Sequence, residues 1–310
     1  MALLVFGTIG IDTVYTPGAG HRENVLGGSC TYFAAAASFF GTVRLVAAVG
    51  EDFPPAFRGV LERFKGIDLR GLEMRQGSKT FRWGGKYLDN MDHRESLFTE
   101  LNVLGEAPPP IPAAFTDSTI VFLANAHPER QMRVIESMPK RRLVVADTMD
   151  LWINIAKDDL VRLLGRVDGL VLNYDEAELL TGRKNTVAAG RQILTMGPRF
   201  VVIKKGEHGC LLIHRDGLAA LPAYPTDNVV DPTGAGDTFA GGLMGRLAQV
   251  EATGAGRDLG SFEVIREAIV SGTVVASFTI EKFSLDRLVE LTSADIGRRA
   301  AEYAGMLRVG

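Results

Sequence analysis

Cysteine and excess charge are both scarce in this sequence. The two cysteines among 310 residues, Cys30 and Cys210, lie far apart and show no metal-ligand spacing. This fits a reducing compartment in which both thiols are small buried groups, and it excludes a disulfide-stabilised scaffold. The formal net charge is only −3. A chain with so little charge has no general attraction to nucleic acid or to an anionic membrane, so neither is expected as a partner.

Long hydrophobic runs are missing as well. No stretch approaches the ~20 consecutive apolar residues that a membrane-spanning helix requires. The first segment, Met1–Phe6, has no basic residues and meets Gly7 before the apolar core of a signal peptide could be completed, so it is predicted to be a strand. Together these features predict a cytoplasmic protein.

The composition is that of an ordinary globular protein. Hydrophobic residues make up 46% of the chain and charged residues 23%, which are average values for soluble folded domains. A chain of 310 residues is long enough for one large core or two modest ones, so length alone leaves the domain count open.

Short β-branched segments alternate with helical patterns along most of the chain. Such alternation predicts βαβ units and a mostly parallel sheet with helices on both faces. The predicted strands are Leu3–Ile9, Arg44–Val49, Thr119–Ala124, Leu143–Asp147, Gly169–Asn173, Phe200–Lys204 and Cys210–His214. The predicted helices include Ser29–Phe40, Pro54–Lys65, Glu129–Met138, Asp158–Leu164, Asp175–Thr181, Thr186–Met196 and Phe262–Thr279.

One segment, Lys79–Leu101, departs from this alternation. It is polar, rich in aromatic and charged residues, and alternates around Gly84 and Gly85. We predict a hairpin outside the main sheet, either an exposed flap over a ligand or a decorated edge. The proline-rich stretch Pro108–Pro112 then indicates a stiff connection back to the main body.

The strongest local pattern is the heptad Asp231–Asp237, Asp-Pro-Thr-Gly-Ala-Gly-Asp, which runs into a helical pattern at Thr238–Val250. A glycine-rich turn that leads into a helix gathers free backbone N–H groups at the positive end of the helix dipole. The amides of Gly234, Ala235 and Gly236 are therefore predicted to form an anion site.

Asp237 distinguishes this heptad from an ordinary glycine turn. A carboxylate among amides that attract phosphate can accept a proton from an attacking hydroxyl, while the amides stabilise the charge on a transferred phosphoryl group. The alternative is that Asp237 is only an N-terminal helix cap beside a turn glycine.

The heptad, together with Thr238 and Phe239, resembles the C-terminal signature of the ribokinase-like, phosphofructokinase-B-type carbohydrate kinases. Three further segments resemble motifs of the same family and occur in the family's order. They are Gly27-Gly28 before a small-residue helix that closes at Phe40-Gly41, the Asn-x-x-Glu motif at Asn173–Glu176, and the Gly-x-x-Gly turn within Lys204–Gly209.

The resemblance implies a fold and a reaction. The expected fold is a ribokinase-like three-layer α/β/α domain over residues 1–310, with a small β-sheet lid formed by residues 13–26 and 79–101. The expected reaction is transfer of the γ-phosphoryl of Mg-ATP to a hydroxyl of a small sugar or polyol. In this reading Asp237 is the catalytic base, and the amides of Gly234, Ala235 and Gly236 hold the charge.

The resemblance also assigns acceptor-binding residues. Asp12 would accept hydrogen bonds from two acceptor hydroxyls, and its alternative is a solvated turn residue. Gly27 and Gly28 would let the backbone approach an acceptor hydroxyl, because no Cβ stands in the way. Asn125, directly after a predicted strand, is a further candidate contact.

On the nucleotide side the resemblance assigns Glu176 to the organisation of Mg²⁺, partly through water, with Asn173 as its motif partner. Acidic residues in the first turn of a helix are also common without a metal, which is the alternative for Glu176. Gly206 and Gly209 would shape the loop around ATP, or else form an ordinary turn between strands.

Several positions depart from the family's pattern. Tyr32 stands where the N-terminal signature usually has an asparagine, and an aromatic ring there suggests stacking on a sugar face or a base. The central Asp-x-Asn-x-Arg motif keeps only its first residue, Asp147, which weakens the case for a phosphorylated sugar as substrate. Lys204 stands where a threonine is frequent, and its ammonium is expected either to reach a phosphate or to be exposed.

The lid of the family covers the sugar and often pairs with a second subunit, so the resemblance implies a homodimer through the lid. Trp83 and Tyr87 would face substrate or partner. Many relatives also bind a monovalent cation such as K⁺ near the anion site, through oxygens around the positions of Asp231 and Thr233.

Three other functions remain as alternatives. A nucleoside kinase of the same superfamily is favoured by Tyr32 and by the aromatic residues of the hairpin. A non-catalytic ATP- and ligand-binding regulator is disfavoured by the presence of both Asp237 and Glu176. A dinucleotide-binding oxidoreductase is suggested by Gly7–Gly10, but that turn lacks the full Gly-x-Gly-x-x-Gly spacing.

Overall fold

A nine-stranded sheet forms the centre of the molecule. The computed structural model describes residues 3–254 and 256–308. In spatial order the strands are β13 (Gly217–Leu221), β12 (Cys210–His214), β11 (Phe200–Lys204), β10 (Gly169–Asn173), β9 (Leu143–Asp147), β8 (Ile120–Leu123), β1 (Leu3–Phe6), β4 (Val43–Gly50) and β5 (Ile67–Arg75). All neighbours pair in parallel from β11 to β5, and β12 and β13 are antiparallel additions.

Helices cover both faces of this sheet. One face carries α1 (Ser29–Ala37), α2 (Pro55–Arg63), α8 (Ala235–Ala252), α9 (Phe262–Thr279), α10 (Asp286–Glu290) and α11 (Ser293–Met306). The other face carries α3 (Pro128–Glu136), α4 (Asp150–Ile155), α5 (Lys157–Leu164), α6 (Tyr174–Thr181) and α7 (Thr186–Leu194). The predicted three-layer α/β/α architecture is confirmed.

The pattern of β1 shows why the sheet is buried on both faces. All four of its residues are apolar and buried. Leu3 and Val5 pack into the core under α1 and α8, whereas Leu4 and Phe6 pack into the core on the opposite face. Each fully buried side chain of this size contributes about 1.5–3 kcal/mol relative to an exposed one, so a continuous apolar run specifies a central parallel strand.

A second sheet of four strands lies beside the main one. Its strands, in spatial order, are β3 (Gly20–Gly27), β2 (Gly10–Thr16), β6 (Phe81–Tyr87) and β7 (Arg94–Glu100). We call it the lid sheet. β6 and β7 form the hairpin predicted for Lys79–Leu101, and β2 pairs in parallel with β6. Its apolar inner face includes Val14, Phe81, Trp83 and Tyr87.

No helix within residues 3–254 and 256–308 is both long and apolar enough to cross a membrane.

The two sheets meet at Gly28, where the chain after β3 packs against the backbone of Ile9 and Gly10. We call this contact the crossing. Gly28 has φ = 92°, and a Cβ there would lie 2.6 Å from the backbone N of Gly10 and 2.7 Å from the Cα of Ile9. Hydrogen bonds between Thr8 and Ser29 join the same two segments. Only glycine fits at this position.

We therefore expect Gly28→Ala to lower the free energy of unfolding by about 3 kcal/mol or more, since it adds a backbone clash to the strain of a positive φ. Gly18→Ala is the matched control, because Gly18 has φ = 78° and open space around its Cα. It should cost about 1 kcal/mol. Urea unfolding of the two variants measures the difference, and equal losses would contradict this account of the crossing.

Candidate active site

The candidate site is a cavity of about 300 Å³ at the carboxyl ends of the parallel strands. Five adjacent strands contribute a polar residue at or just after their last position. These residues are Thr8 after β1, Asn125 after β8, Asp147 in β9, Asn173 in β10 and Lys204 in β11. The heptad forms another wall, and the inner face of the lid sheet covers the opening. Polar groups from distant parts of the sequence therefore converge on one cavity, as in other α/β folds.

The heptad forms a turn that starts α8. The Thr233 N–H donates to Asp231 Oδ1 at 2.9 Å, and the Ala235 N–H donates to the Pro232 carbonyl at 3.1 Å. Gly234 has φ = 75° and lies so close to the ring of Tyr32 that a Cβ would be 2.3 Å from it. A left-handed backbone against an aromatic ring requires glycine here.

This geometry narrows the predicted anion site. The prediction assigned three amides to phosphate, but the Ala235 amide already has an acceptor in the turn. Within the described part of the chain, the amides of Gly234 and Gly236 have no acceptor and both residues line the cavity. They lie at the positive end of the 18-residue helix α8.

Asp237 lies in the first turn of α8, inside the cavity wall. Burial and the nearby Asp147 raise the pKa of its carboxyl, Lys204 and Arg94 oppose the shift, and the resulting pKa is about 7. No side-chain cap is found at the start of α8, so Asp237 is not the helix cap that its alternative required. A carboxyl with a pKa near neutrality is suited to accept a proton.

Lys204 connects the strand end to the heptad. Its Nζ lies 4.0 Å from Asp147 Oδ2, and a Cβ on Gly236 would be 2.9 Å from the same Nζ. Burial lowers the pKa of Lys204, but Asp147, Glu176 and Asp237 outweigh it, so the pKa is raised. Lys204 is therefore a cation that lines the cavity beside the anion turn with its side chain 17% exposed, and the exposed alternative is wrong.

Glu176 has a structural part as well as a place in the cavity. It forms a capping box with Asn173, in which each side chain accepts from the other residue's backbone N–H at 2.8 Å. This leaves Glu176 Oε1 without a hydrogen bond among the described residues. Burial and then Asp147 raise the pKa of Glu176 to about 7. Glu176 is thus an acidic residue in the first turn of a helix, as its alternative had it, and also lines the cavity where Mg²⁺ was predicted.

Asp12 and the glycine pair form the other end of the cavity. A Cβ on Gly27 would lie 1.9 Å from Asp12 Oδ2. The Asp12 carboxyl and the crossing at Gly28 thus require the glycine pair. Gly28 also lines the cavity, where the pair is predicted to admit an acceptor hydroxyl. Burial raises the pKa of Asp12, a hydrogen bond from the Gly28 N–H opposes the rise, and Asp231 and Asp237 add to it, so that the pKa is about 8. The solvated-turn alternative for Asp12 is wrong.

Tyr32 lines the cavity, but its ring has almost no exposed surface. The side chain is 1% exposed and its ring lies under Gly234. The hydroxyl is buried without a partner among the described residues. Stacking on a sugar or base was the expectation, but packing under the turn uses the ring, so Tyr32 supports the heptad instead.

The remaining predicted residues differ in their exposure to the cavity. Trp83 forms part of the lid wall. Asn125 lines the cavity, but its Oδ1 already accepts from Trp152 Nε1 at 2.7 Å. Thr233 donates from Oγ1 to the Tyr87 hydroxyl at 3.3 Å.

The two glycines of the predicted nucleotide turn behave differently. Gly206 lines the cavity. Gly209 has φ = 84°, and a Cβ there would lie 2.0 Å from the Leu221 carbonyl. It is not among the cavity-lining residues. Its geometry fits the alternative of a turn between β11 and β12.

Sequence reasoning missed two charged groups of the cavity. Asp147 was noted only as the remnant of a motif, although its place at the end of a parallel strand was a signal for it. Arg94 gave no such signal, because it occurs in a polar hairpin among other charged residues. Both line the cavity.

Three comparisons with known proteins agree on one family of relatives. Residues 121–290 match the model of the pfkB family carbohydrate kinases. A cytidine kinase of Thermococcus kodakarensis is 31% identical over 254 residues, covering 78% of this chain and 87% of the relative.

Solved structures show the same fold. The nucleoside kinase of Burkholderia thailandensis in complex with inosine superposes with a TM-score of 0.75 at 17% identity, covering 98% of both chains. An Escherichia coli protein proposed to be a ribokinase II, in complex with ATP and Mg²⁺, gives 0.74 at 16% identity and covers 97% of this chain and 99% of its own.

The fold and the site define a kinase, a phosphotransferase whose acceptor is an alcohol group. The chain belongs to the pfkB family of carbohydrate kinases.

The raised pKa of Asp12 predicts a pH-dependent cost in the ligand-free protein. Its protonated form is favoured by folding, so its stabilisation is complete below about pH 4 and is lost as pH rises through about 8. Asn cannot ionise. The free energy of unfolding of Asp12→Asn relative to wild type should therefore rise by at least about 2 kcal/mol between pH 5 and pH 8. Urea titrations at both pH values test this, and a difference independent of pH would contradict it.

Proposed function

We propose that the protein transfers the γ-phosphoryl of ATP to a sugar hydroxyl of a nucleoside, with Asp237 as general base. The observation that carries the proposal is the position of Asp237. It lines the cavity in the first turn of α8, directly after Gly236 in the amide turn, and it is close enough to Asp147 for that carboxyl to raise its pKa. A phosphoryl group and an attacking hydroxyl can meet there.

Residues of the protein bind the phosphoryl group, orient the acceptor and take up the proton. Gly234, Gly236 and Lys204 hold the transferred phosphoryl, and Asp12 orients the acceptor hydroxyls. As the hydroxyl oxygen bonds to phosphorus and the bond to the ADP oxygen breaks, the hydroxyl proton passes to Asp237. The lid sheet excludes water from the reaction.

The carboxyls also fit a divalent cation. Glu176 lines the cavity, its Oε1 makes no capping bond, and Asp147 and Asp237 line the same cavity with raised pKa values. Oxygen ligands of this kind suit Mg²⁺, and Glu176 would hold it. When bound, Mg²⁺ neutralises charge on the phosphates.

A monovalent cation is supported by a separate observation. Asp231 is 1% exposed and its Oδ2 has no partner among the described residues. Buried carboxylate oxygens are normally satisfied. We propose K⁺ as the ion near Asp231 and Thr233, to be tested by comparing turnover in K⁺ and tetramethylammonium salts.

The nucleoside acceptor is favoured by the lid wall of the cavity. Phe81, Trp83, Tyr87 and Met91 of the lid line the cavity, and Met149 joins them from the main domain. Aromatic and thioether groups suit a flat base better than a free sugar, which needs polar partners on most sides. The similarity to the cytidine kinase supports the same acceptor class. A free sugar or polyol is the second candidate, favoured by the buried carboxyl of Asp12.

The test is ADP release from Mg-ATP with cytidine, inosine and adenosine, set beside ribose, fructose and inositol. We expect kcat/KM for the best nucleoside to exceed that for the best free sugar at least about tenfold. In Asp237→Asn, kcat should fall about 10³-fold, as for loss of a general base, while the Kd for ADP changes less than about threefold.

Two results would count against the proposal. A preference for a free sugar would move the acceptor to the second candidate. A turnover of Asp237→Asn within tenfold of wild type would remove Asp237 from the role of base.

We also propose a homodimer through the outer face of the lid sheet, which exposes Leu88, Leu97 and Phe98. Exposed apolar clusters of this kind often mark interfaces. Sedimentation velocity should show a dimer that Leu97→Asp converts to monomer. A wild-type protein that sediments as a monomer at micromolar concentration would contradict the proposal.

A further inference from the structure

Arg94 is a cation of the cavity that no motif identifies. It is the first residue of β7, the edge strand of the lid sheet. All seven residues of β7 are exposed, and yet Arg94 lines the cavity. The residue as a whole is accessible at the lid edge, whereas its charged end reaches the site.

The register of the hairpin explains this direction. Arg94 pairs with Tyr87, and Ser96 pairs with Gly85. Residues directly opposite each other in an antiparallel pair lie on the same face of a sheet. Arg94 therefore shares the inner face with Tyr87 and Trp83, and the hydrogen bond from Trp83 Nε1 to Ser96 Oγ at 3.3 Å confirms this arrangement.

Trp83 holds the guanidinium in place. Arg94 Cζ lies 5.6 Å from the centre of the Trp83 ring, a distance typical of a cation–π contact. A Cβ on Gly85 would lie 2.1 Å from the Trp83 ring, so the ring lies flat on the strand. Because Gly85 has no side chain, the Trp83 ring can lie there and contact Arg94.

Arg94 has no fixed ionic partner. No carboxylate of the described residues lies within 4.0 Å of its guanidinium, in contrast to Lys204, which faces Asp147 at 4.0 Å. An arginine directed into a cavity without a partner is available for an anion that enters the cavity. Its planar fork of donors suits a phosphoryl group.

The surrounding charges indicate which end of the cavity Arg94 serves. Burial lowers the pKa of Arg94, but Tyr87, Glu176, Asp150 and Asp237 raise it overall. Arg94 in turn lowers the pKa of Glu176 and of Asp237. The pKa of Asp12, at the acceptor end, is shifted by burial, Gly28, Asp231 and Asp237. Arg94 therefore acts on the end of the cavity with Glu176 and Asp237.

We infer that Arg94 binds the γ-phosphoryl of ATP from the lid side and is a further catalytic residue of the transfer. The phosphoryl would then lie between the amides of Gly234 and Gly236 on one side and the guanidinium on the other. Closure of the lid sheet would complete the charge stabilisation, since Arg94 belongs to the lid. This inference rests on the proposed kinase function.

The test compares Arg94→Gln with wild type in binding and in turnover. ADP lacks the γ-phosphoryl, whereas the non-hydrolysable analogue AMP-PNP has it. In calorimetry with Mg²⁺, Arg94→Gln should weaken AMP-PNP about tenfold and change the Kd for ADP less than threefold. With the best acceptor, kcat should fall about 10²-fold, the loss typical of one transition-state donor. Arg94→Lys should recover part of both effects.

Lys86→Gln is the matched control, because Lys86 is an exposed cation on the outer face of the same hairpin. It should leave both Kd values and kcat within twofold of wild type. Thermal melting of each variant checks the fold, and a surface substitution of this kind changes stability little.

Three outcomes would overturn the inference. In the first, Arg94→Gln weakens ADP and AMP-PNP equally. In the second, it raises the acceptor KM alone, which would make Arg94 an acceptor ligand. In the third, Lys86→Gln causes the same losses, which would indicate a general effect of lid charge. The binding measurement needs no acceptor, so it tests Arg94 even where every proposed acceptor fails in turnover.

Discussion

The burial of several carboxyls around one cavity is the constraint on which the rest of this structure depends. Removal from water raises the pKa of five carboxyls more than any other effect does. They are those of Asp12, Asp147, Glu176, Asp231 and Asp237. The cations that face them are Lys204 and Arg94. Buried charge of one sign is costly unless it is paired. The cavity therefore favours bound cations, and these would hold a phosphoryl group together with the amide turn.

The glycines of the site serve this arrangement. Gly27 makes room for the Asp12 carboxyl, and Gly234 lies on the ring of Tyr32. Each of these contacts places a carboxyl or an amide at the cavity, so a side chain at either glycine would displace a reacting group. The lid sheet adds the aromatic wall and Arg94. The parallel strands, the heptad and the lid sheet thus each supply different residues to one cavity.

Much of this could be predicted from the sequence, because some signals are local. Three parallel strands, Leu143–Asp147, Gly169–Asn173 and Phe200–Lys204, begin and end at the predicted residues, since buried parallel strands are short apolar runs bounded by polar residues. The capping box at Asn173 and Glu176 follows from their spacing. The place of Tyr32 under Gly234 and the direction of Arg94 could not be predicted. Both depend on how distant segments pack, and hairpin register decides which face a side chain takes.

The most direct test of the central claim is a crystal structure of the protein with AMP-PNP, Mg²⁺ and its acceptor. The account predicts that the attacking hydroxyl lies within about 3.2 Å of an Asp237 carboxylate oxygen and in line with the γ-phosphorus, which the amides of Gly234 and Gly236 contact. An acceptor hydroxyl bound to a different carboxylate, with Asp237 more than about 5 Å away or bound directly to the metal, would contradict it.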